Sequence, residues 1–326
     1  MSASVMTHLA LSTRWNAYRH ETGEGMLDEI RALGFDTVEL GYDLRLDLAP
    51  GVMARLRSGA IAVSSVHNFC PVPVGVPHGH PELFSLSSLD KTERRLAVHH
   101  TEKTIRFAAE VGARGVVAHA GNVRMRRYTA RLIALAEAGK LNTARYDRIK
   151  LKLLMKRARK AAPYLAALES SIDELLPVLE ACGIRLGFEN LPSWEAIPTE
   201  VELHELTSRL DSPWIGYWHD IGHGQIRQNL GLVNQLHWLT RLTPRLVGMH
   251  IHDVRGTAQD HVAPGLGDID FRDFAAAAAA CPACVLEPTP GTPADQLQNA
   301  LDHLRRCWDD STAVSDMNAP PEPDPI

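Results

Sequence analysis

Short runs of apolar and β-branched residues alternate along the chain with longer stretches whose apolar residues recur at helical spacing, the pattern of a parallel sheet built from strand–helix units. Eight strands are expected, over His8 to Thr13, Thr37 to Gly41, Ile61 to Asn68, Gly115 to His119, Arg185 to Glu189, Ile215 to His219, Leu246 to His252 and Cys284 to Glu287. Between them the spacing predicts helices such as Gly25 to Leu33, Lys91 to Val111, Ser170 to Cys182, Glu200 to Leu210, Phe271 to Ala280 and Pro293 to Cys307. Eight such units close into a (β/α)8 TIM barrel of the α/β class. An open doubly wound sheet is the alternative. It would place a glycine-rich phosphate turn after the first strand, where Leu11-Ser12-Thr13-Arg14 stands instead.

The rhythm breaks over residues 122–164, which predict a long helical hairpin inserted after the fourth strand, where a few loop residues would ordinarily suffice. Between Arg124 and Lys160 stand thirteen Lys and Arg residues against only Glu137 and Asp147, while the whole chain carries a formal charge of −5. The insertion is therefore basic and the remainder acidic. Three uses fit it: a solvated helix pair, a lid that attracts an anionic substrate, or a nucleic-acid surface. Its place after the fourth strand puts it near the barrel mouth and favours the lid over a remote patch; contacts in a homo-oligomer stay open. The barrel is expected over residues 1–310, with a Pro-rich, polar tail over residues 311–326 that reads as disordered.

A chain of 326 residues suits one large barrel domain. No apolar run approaches the roughly 20 residues of a membrane span, and the opening MSASVMTHLALSTRW lacks a basic start followed by a long apolar stretch, so a soluble, cytoplasmic protein is expected. Five scattered cysteines predict no disulfides. Cys281-Pro-Ala-Cys284 has redox-motif spacing, but it lies between an alanine-rich helix and a strand, outside any thioredoxin-like context.

In a parallel barrel the chemistry sits where strands end. Those ends carry Glu39, His67, His119, Glu189, Asp220, His250, His252 and Glu287. Burying so many carboxylates and imidazoles at one mouth is costly unless a cation or mutual hydrogen bonds compensate, and a metal is the economical answer. Glu189, Asp220, Glu287 and His252 make a mostly hard, oxygen-rich set suited to one divalent ion, Mn, Mg or Co, with Zn tolerated. His250 and His252 point the same way on a strand, one a layer deeper. The ligand role goes to His252 as the residue nearer the mouth, and His250 reads as a hydrogen-bonded structural group.

Several segments resemble the xylose isomerase-like barrel superfamily, which includes ketose 3-epimerases, inosose isomerases and dehydratases, and metal-dependent apurinic endonucleases. They are Leu33-Gly34-Phe35-Asp36-Thr37-Val38-Glu39-Leu40, Gly187-Phe188-Glu189-Asn190, Trp218-His219-Asp220-Ile221-Gly222-His223, His250-Ile251-His252-Asp253-Val254-Arg255, Pro264-Gly265-Leu266-Gly267-Asp268-Ile269-Asp270-Phe271 and Leu286-Glu287. In this order they span about residues 5 to 308; the basic insertion has no counterpart in the family pattern. The resemblance implies Glu189, Asp220, His252 and Glu287 as metal ligands, with Glu189 and Glu287 also acting as acid and base. It implies an isomerase or epimerase of carbohydrate metabolism, acting on a sugar, inositol or keto-sugar through a metal-stabilised enediolate.

The resemblance also places His223 against substrate hydroxyls. Arg255 is a candidate partner for a hydroxyl, carboxylate or phosphate. Glu39 and Asn190 are candidates to face the substrate, or to hold a neighbour and a turn. His67 and His119 are further substrate-facing candidates, and in the endonuclease branch the matching positions bind additional zinc, as does the position of His261. The aspartate expected there two residues earlier is Gln259. Rival readings are therefore a keto-sugar dehydratase or lyase on the same site, an apurinic endonuclease, and a non-catalytic metal-binding barrel. Pro264-Gly265-Leu266-Gly267 lacks the lysine and helix of a phosphate loop and predicts a tight turn beside the site.

Overall fold

The computed structural model describes residues 9–317, with side chains to residue 308. Eight parallel strands close a barrel: β1 (Leu9–Ser12), β2 (Thr37–Leu40), β3 (Ala62–His67), β4 (Gly115–Ala118), β5 (Arg185–Glu189), β6 (Ile215–Asp220), β7 (Leu246–Ile251) and β10 (Cys284–Leu286), with β10 pairing back to β1. The chain is a (β/α)8 TIM barrel, as the apolar alternation predicts. Outside the barrel, β8 (Asp253–Arg255) and β9 (Gln259–Val262) form an antiparallel pair over the mouth. The helices are α1 (Gly23–Ala32), α2 (Ala49–Arg57), α3 (Lys91–Glu110), α4 (Tyr128–Glu137), α5 (Ala144–Cys182), α6 (Glu200–Leu210), α7 (Ile221–Asn229), α8 (Gln235–Leu242), α9 (Ala275–Ala280) and α10 (Ala294–Met317). Among the described residues no helix is long and apolar enough to cross a membrane.

The barrel interior is closed below the mouth by Ala10, Val117, Trp218, Val247, Ala283 and Val285. Trp218 is its largest member, and Gly248 makes room for it: a Cβ on Gly248 would lie 2.1 Å from the indole. This dry plug forms the floor on which the imidazole of His250 rests, edge to face with Trp218 at 5.0 Å. Cys281 lies at the opposite end of β10, where burial and its neighbour Cys284 push the thiol up. A raised thiol carries little thiolate, so it is a poor nucleophile.

The insertion departs from a self-contained hairpin. Its first arm is α4, but its second arm runs on without a break into the crossover helix as the 39-residue α5, through Pro163 and Pro177. Between Ala144 and Cys182 the sequence is rich in Ala, Leu, Lys and Glu and has no glycine, so nothing stops the helix before Gly183, whose φ of 67° fits a left-handed cap. The insertion is fastened to the mouth at several points. The Glu195 carboxylate accepts from the amides of Tyr128 (2.5 Å) and Thr129 (3.1 Å) and from the Thr129 hydroxyl, which fixes the start of α4. Buried Arg157 of α5 forks onto Glu202 at 2.6 and 2.8 Å and donates to the Ala196 carbonyl. The expected tail falls partly on α10, which extends to Met317; residues 318–326, and His8 at the start of the first expected strand, lie outside the described residues.

Candidate metal and active site

Asp220 ends β6 and serves as the N-cap of α7, its Oδ1 accepting the His223 amide at 2.6 Å. The positive end of the helix favours its ionised form. Asn190 latches the same corner, accepting the Asp220 amide at 2.8 Å and donating to its carbonyl at 2.9 Å. The register of β6 on β7 sets Asp220 opposite His250. Around Nδ1 of His250 stand Oε2 of Glu287 at 3.3 Å, Oε1 of Glu189 at 3.6 Å and Oδ2 of Asp220 at 3.8 Å. That nitrogen is buried and has no hydrogen-bond partner among the described residues. On its other side, Nε2 meets the Glu39 carboxylate at 3.1 and 3.2 Å, and Glu39 accepts from the hydroxyls of Ser12 and Ser65. An imidazole held by a carboxylate through one nitrogen, with the other left open amid three carboxylates, is a fitting donor set for a divalent cation.

The imidazole facing these carboxylates is thus His250, where the sequence reading placed His252. Nearness to the mouth is the wrong criterion, because the carboxylates meet in the layer of His250. His252 lies one layer outward. Its Nε2 meets Asp220 Oδ1 at 3.0 Å, its Nδ1 accepts the His261 amide at 2.9 Å, and its ring stacks on His261 at 4.1 Å. Gly222 admits that ring: a Cβ there would lie 2.0 Å from it. His223, His252 and His261 form a second group able to present ligand atoms within 4.8 Å of one another, and His67, His119 and Glu189 form a third. His119 Nε2 lies 3.1 Å and His67 Nε2 3.6 Å from Glu189 Oε2.

Charge is balanced across this buried cluster. Burial raises the Glu189 carboxyl, but the charges of His119 and His250 and hydrogen bonds from His119 and His223 hold it well below the usual carboxylate range. Burial likewise opposes ionisation of Glu287, and His250, Arg14 and His261 outweigh it. Asp220 is lowered by His223 and His252 against burial. His223 moves up to about 9 because Asp220 and Glu189 outweigh its burial. The acids are therefore set to be anions at neutral pH, the form that binds cations and accepts protons.

Arg14, which the sequence reading passed over, donates to Glu287 Oε1 at 2.8 Å and lies over the Tyr42 ring. It stands just past the end of β1, so the strand-end rule that found the others would have found it. Glu39 sits beneath His250 as a support, and Asn190 supports Asp220. Arg255 is exposed and spends its guanidinium on the Leu266 carbonyl, away from the cavity. The tight turn at residues 264–267 has an occupant for its amides: buried Asp253 accepts from Gly265, Gly267 and Ile269. The donors a phosphate loop would offer are already used.

Above the cluster opens a cavity of about 630 Å3, lined by Arg14, Tyr42, His67, His119, Glu189, His223, His261 and Glu287 on the barrel side and by residues of the insertion on the other. The profile of the xylose isomerase-like TIM barrel family matches residues 27–307. The chain belongs to this family. Among solved structures, this xylose isomerase-like barrel is similar to a D-tagatose 3-epimerase-like protein, with a TM-score of 0.68 and 17% identity over 94% of this chain and 99% of that one. It is also similar to the apo form of an Escherichia coli 3-keto-D-glucoside 4-epimerase, with a TM-score of 0.66 and 17% identity over 92% and 99% of the two chains. Over 104 residues it is 29% identical to the uncharacterised protein MJ1311 of Methanocaldococcus jannaschii, a stretch covering 31% of this chain and 35% of that protein. The chain thus spans about a third of the length of this curated relative.

Proposed function

We propose that the protein is a divalent-metal-dependent epimerase or isomerase of a keto-sugar or related polyol. The observation that carries this reading is the open Nδ1 of His250 amid Glu189, Asp220 and Glu287. Both structural neighbours, a D-tagatose 3-epimerase-like protein and a 3-keto-D-glucoside 4-epimerase, point the same way. Glu189, Asp220, His250 and Glu287 would hold the cation, which when bound supplies Lewis-acid polarisation of a carbonyl and its neighbouring hydroxyl. The remaining work falls to the chain. Glu189 and Glu287, both held ionised, accept and return the carbon-bound proton next to the carbonyl. Arg14 fixes one oxygen of Glu287, leaving Oε2 toward the cluster. His119 and His223 hold Glu189 and line the cavity on the substrate's side.

The test is solvent exchange. Manganese-loaded protein, offered ketohexoses, keto-inositols and keto-glycosides in deuterated water, is expected to place deuterium on the carbon beside the carbonyl. Glu189→Gln and Glu287→Gln each lower that rate about 10²- to 10⁴-fold. Wild-type exchange in either variant would refute the assignment, and a product lighter by one water would mark a lyase.

The groups His67/His119/Glu189 and His223/His252/His261 favour a second reading, in which further ions bind as in a metal-dependent endonuclease. Gln259 is exposed on β9, and His252 occupies the place beside His261. Cleavage of an abasic-site duplex by protein loaded with zinc would establish this reading; binding without cleavage would reject it.

A further inference from the structure

The cavity is larger than one sugar requires. At about 630 Å3 it falls among the pockets of roughly 300 to 1,000 Å3 that enclose ligands larger than a monosaccharide. The far side is built by the insertion, where the apolar Met125 and Ile133 join Leu191 and Pro192 in lining the cavity. Arg124 and Arg127 of the insertion also line the cavity, exposed, and neither guanidinium has a carboxylate partner among the described residues. The acids nearby are already engaged: Glu195 holds the start of α4, and Glu82 accepts from Asn122 at 2.8 Å. The wall is also fixed in place, because the Glu195 clamp and the Arg157–Glu202 fork seat both arms of the insertion on the barrel before any ligand arrives. A preformed wall costs little ordering on binding.

We propose that the insertion selects a substrate in two parts: a polyol or keto-sugar end at the acid cluster, joined to an apolar group that bears a negative charge, received by Met125, Ile133, Arg124 and Arg127. The apolar half buries surface that a free monosaccharide lacks, and the anion meets two unpaired guanidinium groups by charge-assisted hydrogen bonds. This deepens the epimerase reading and rests on it only for the polyol end.

Calorimetric titration of the full-length, manganese-loaded protein with methyl, phenyl and 4-carboxyphenyl β-D-glucopyranoside tests it. Affinity is expected to rise along that series, with the carboxylate alone adding about tenfold at low salt and losing most of it at high salt. Arg124→Ala/Arg127→Ala removes the carboxylate's gain and leaves the methyl and phenyl compounds unchanged. Lys152→Ala, an exposed insertion cation outside the cavity lining, leaves all three unchanged. Equal affinity for the three, no detectable binding of the charged glycoside, or a gain that survives loss of both arginines overturns the proposal. The readout is binding, so absent proton exchange would count against the epimerase reading alone. Equal binding with exchange intact would remove only the two-part substrate.

Discussion

His250 and His252 sit two positions apart on one strand, yet their surroundings give them different work. His250 has a carboxylate behind it and three in front; His252 has a single carboxylate and two imidazoles for company. His250→Ala is therefore expected to abolish stoichiometric uptake of manganese or cobalt at the carboxylate cluster. Glu39→Gln, which loosens only the rear support, weakens uptake about 10- to 100-fold. His252→Ala keeps that first equivalent. Equilibrium dialysis followed by elemental analysis reads all three, and loss of the first equivalent in His252→Ala with retention in His250→Ala would invert the assignment. The carboxylates were legible in the sequence because each ends a strand, which needs only a period and a boundary. The choice between two imidazoles depends on the pairing of β6 with β7, which places Asp220 level with His250, and pairing register is not written in either strand alone.

Among the elements, the eight strands were readable to within a residue or two because each is a short apolar run bounded by polar turns. The insertion was readable by composition but not by shape. Its continuity with the crossover helix reflects the missing stop signal between Ala144 and Gly183, against two prolines that would ordinarily suggest a break. What locks it down is long-range and so invisible in sequence: Arg157 is nearly fully buried and finds Glu202 across to α6. Arg157→Ala leaves that carboxylate with only the Thr199 amide and opens a hole between helices, with an expected loss of about 3 kcal/mol in urea denaturation. Pairing it with Glu202→Gln recovers part of the loss. An unchanged urea midpoint in the single variant would mean that the insertion is seated by other contacts.

For the molecule as a whole, the buried histidines set opposing limits on pH. His219 is held down to about 4 by burial, so its neutral form contributes stability that is complete above 6.5 and lost as the pH falls from 6.5 toward 4; His261, also held to about 4, acts in the same direction. His223 is raised to about 9, so its contribution is complete below 6.5 and lost as the pH climbs toward 9. Metal-free protein is expected to be most stable between these limbs, near neutrality. His219→Gln makes the acid limb shallower, and added manganese raises the thermal midpoint most on the alkaline side, where protons no longer compete for ligands. Thermal scans from pH 5 to 9, with chelator and with manganese, measure both; an acid limb identical in His219→Gln and wild type would contradict the sign derived for His219.

The unbroken run of α5 gives the molecule an unusual economy of parts. A single rod, about 58 Å long at 1.5 Å per residue, begins beside the loop after α7, where Tyr146 and Lys150 donate to the carbonyls of Leu230 and Gly231, and ends by delivering the backbone to the fifth stave of the barrel. The extra segment is consequently no cassette that can be lifted out at its two ends. Excising it would shear the rod midway and leave a stump in place of the connection that closes the cylinder, so any trimmed descendant must first redesign the scaffold itself.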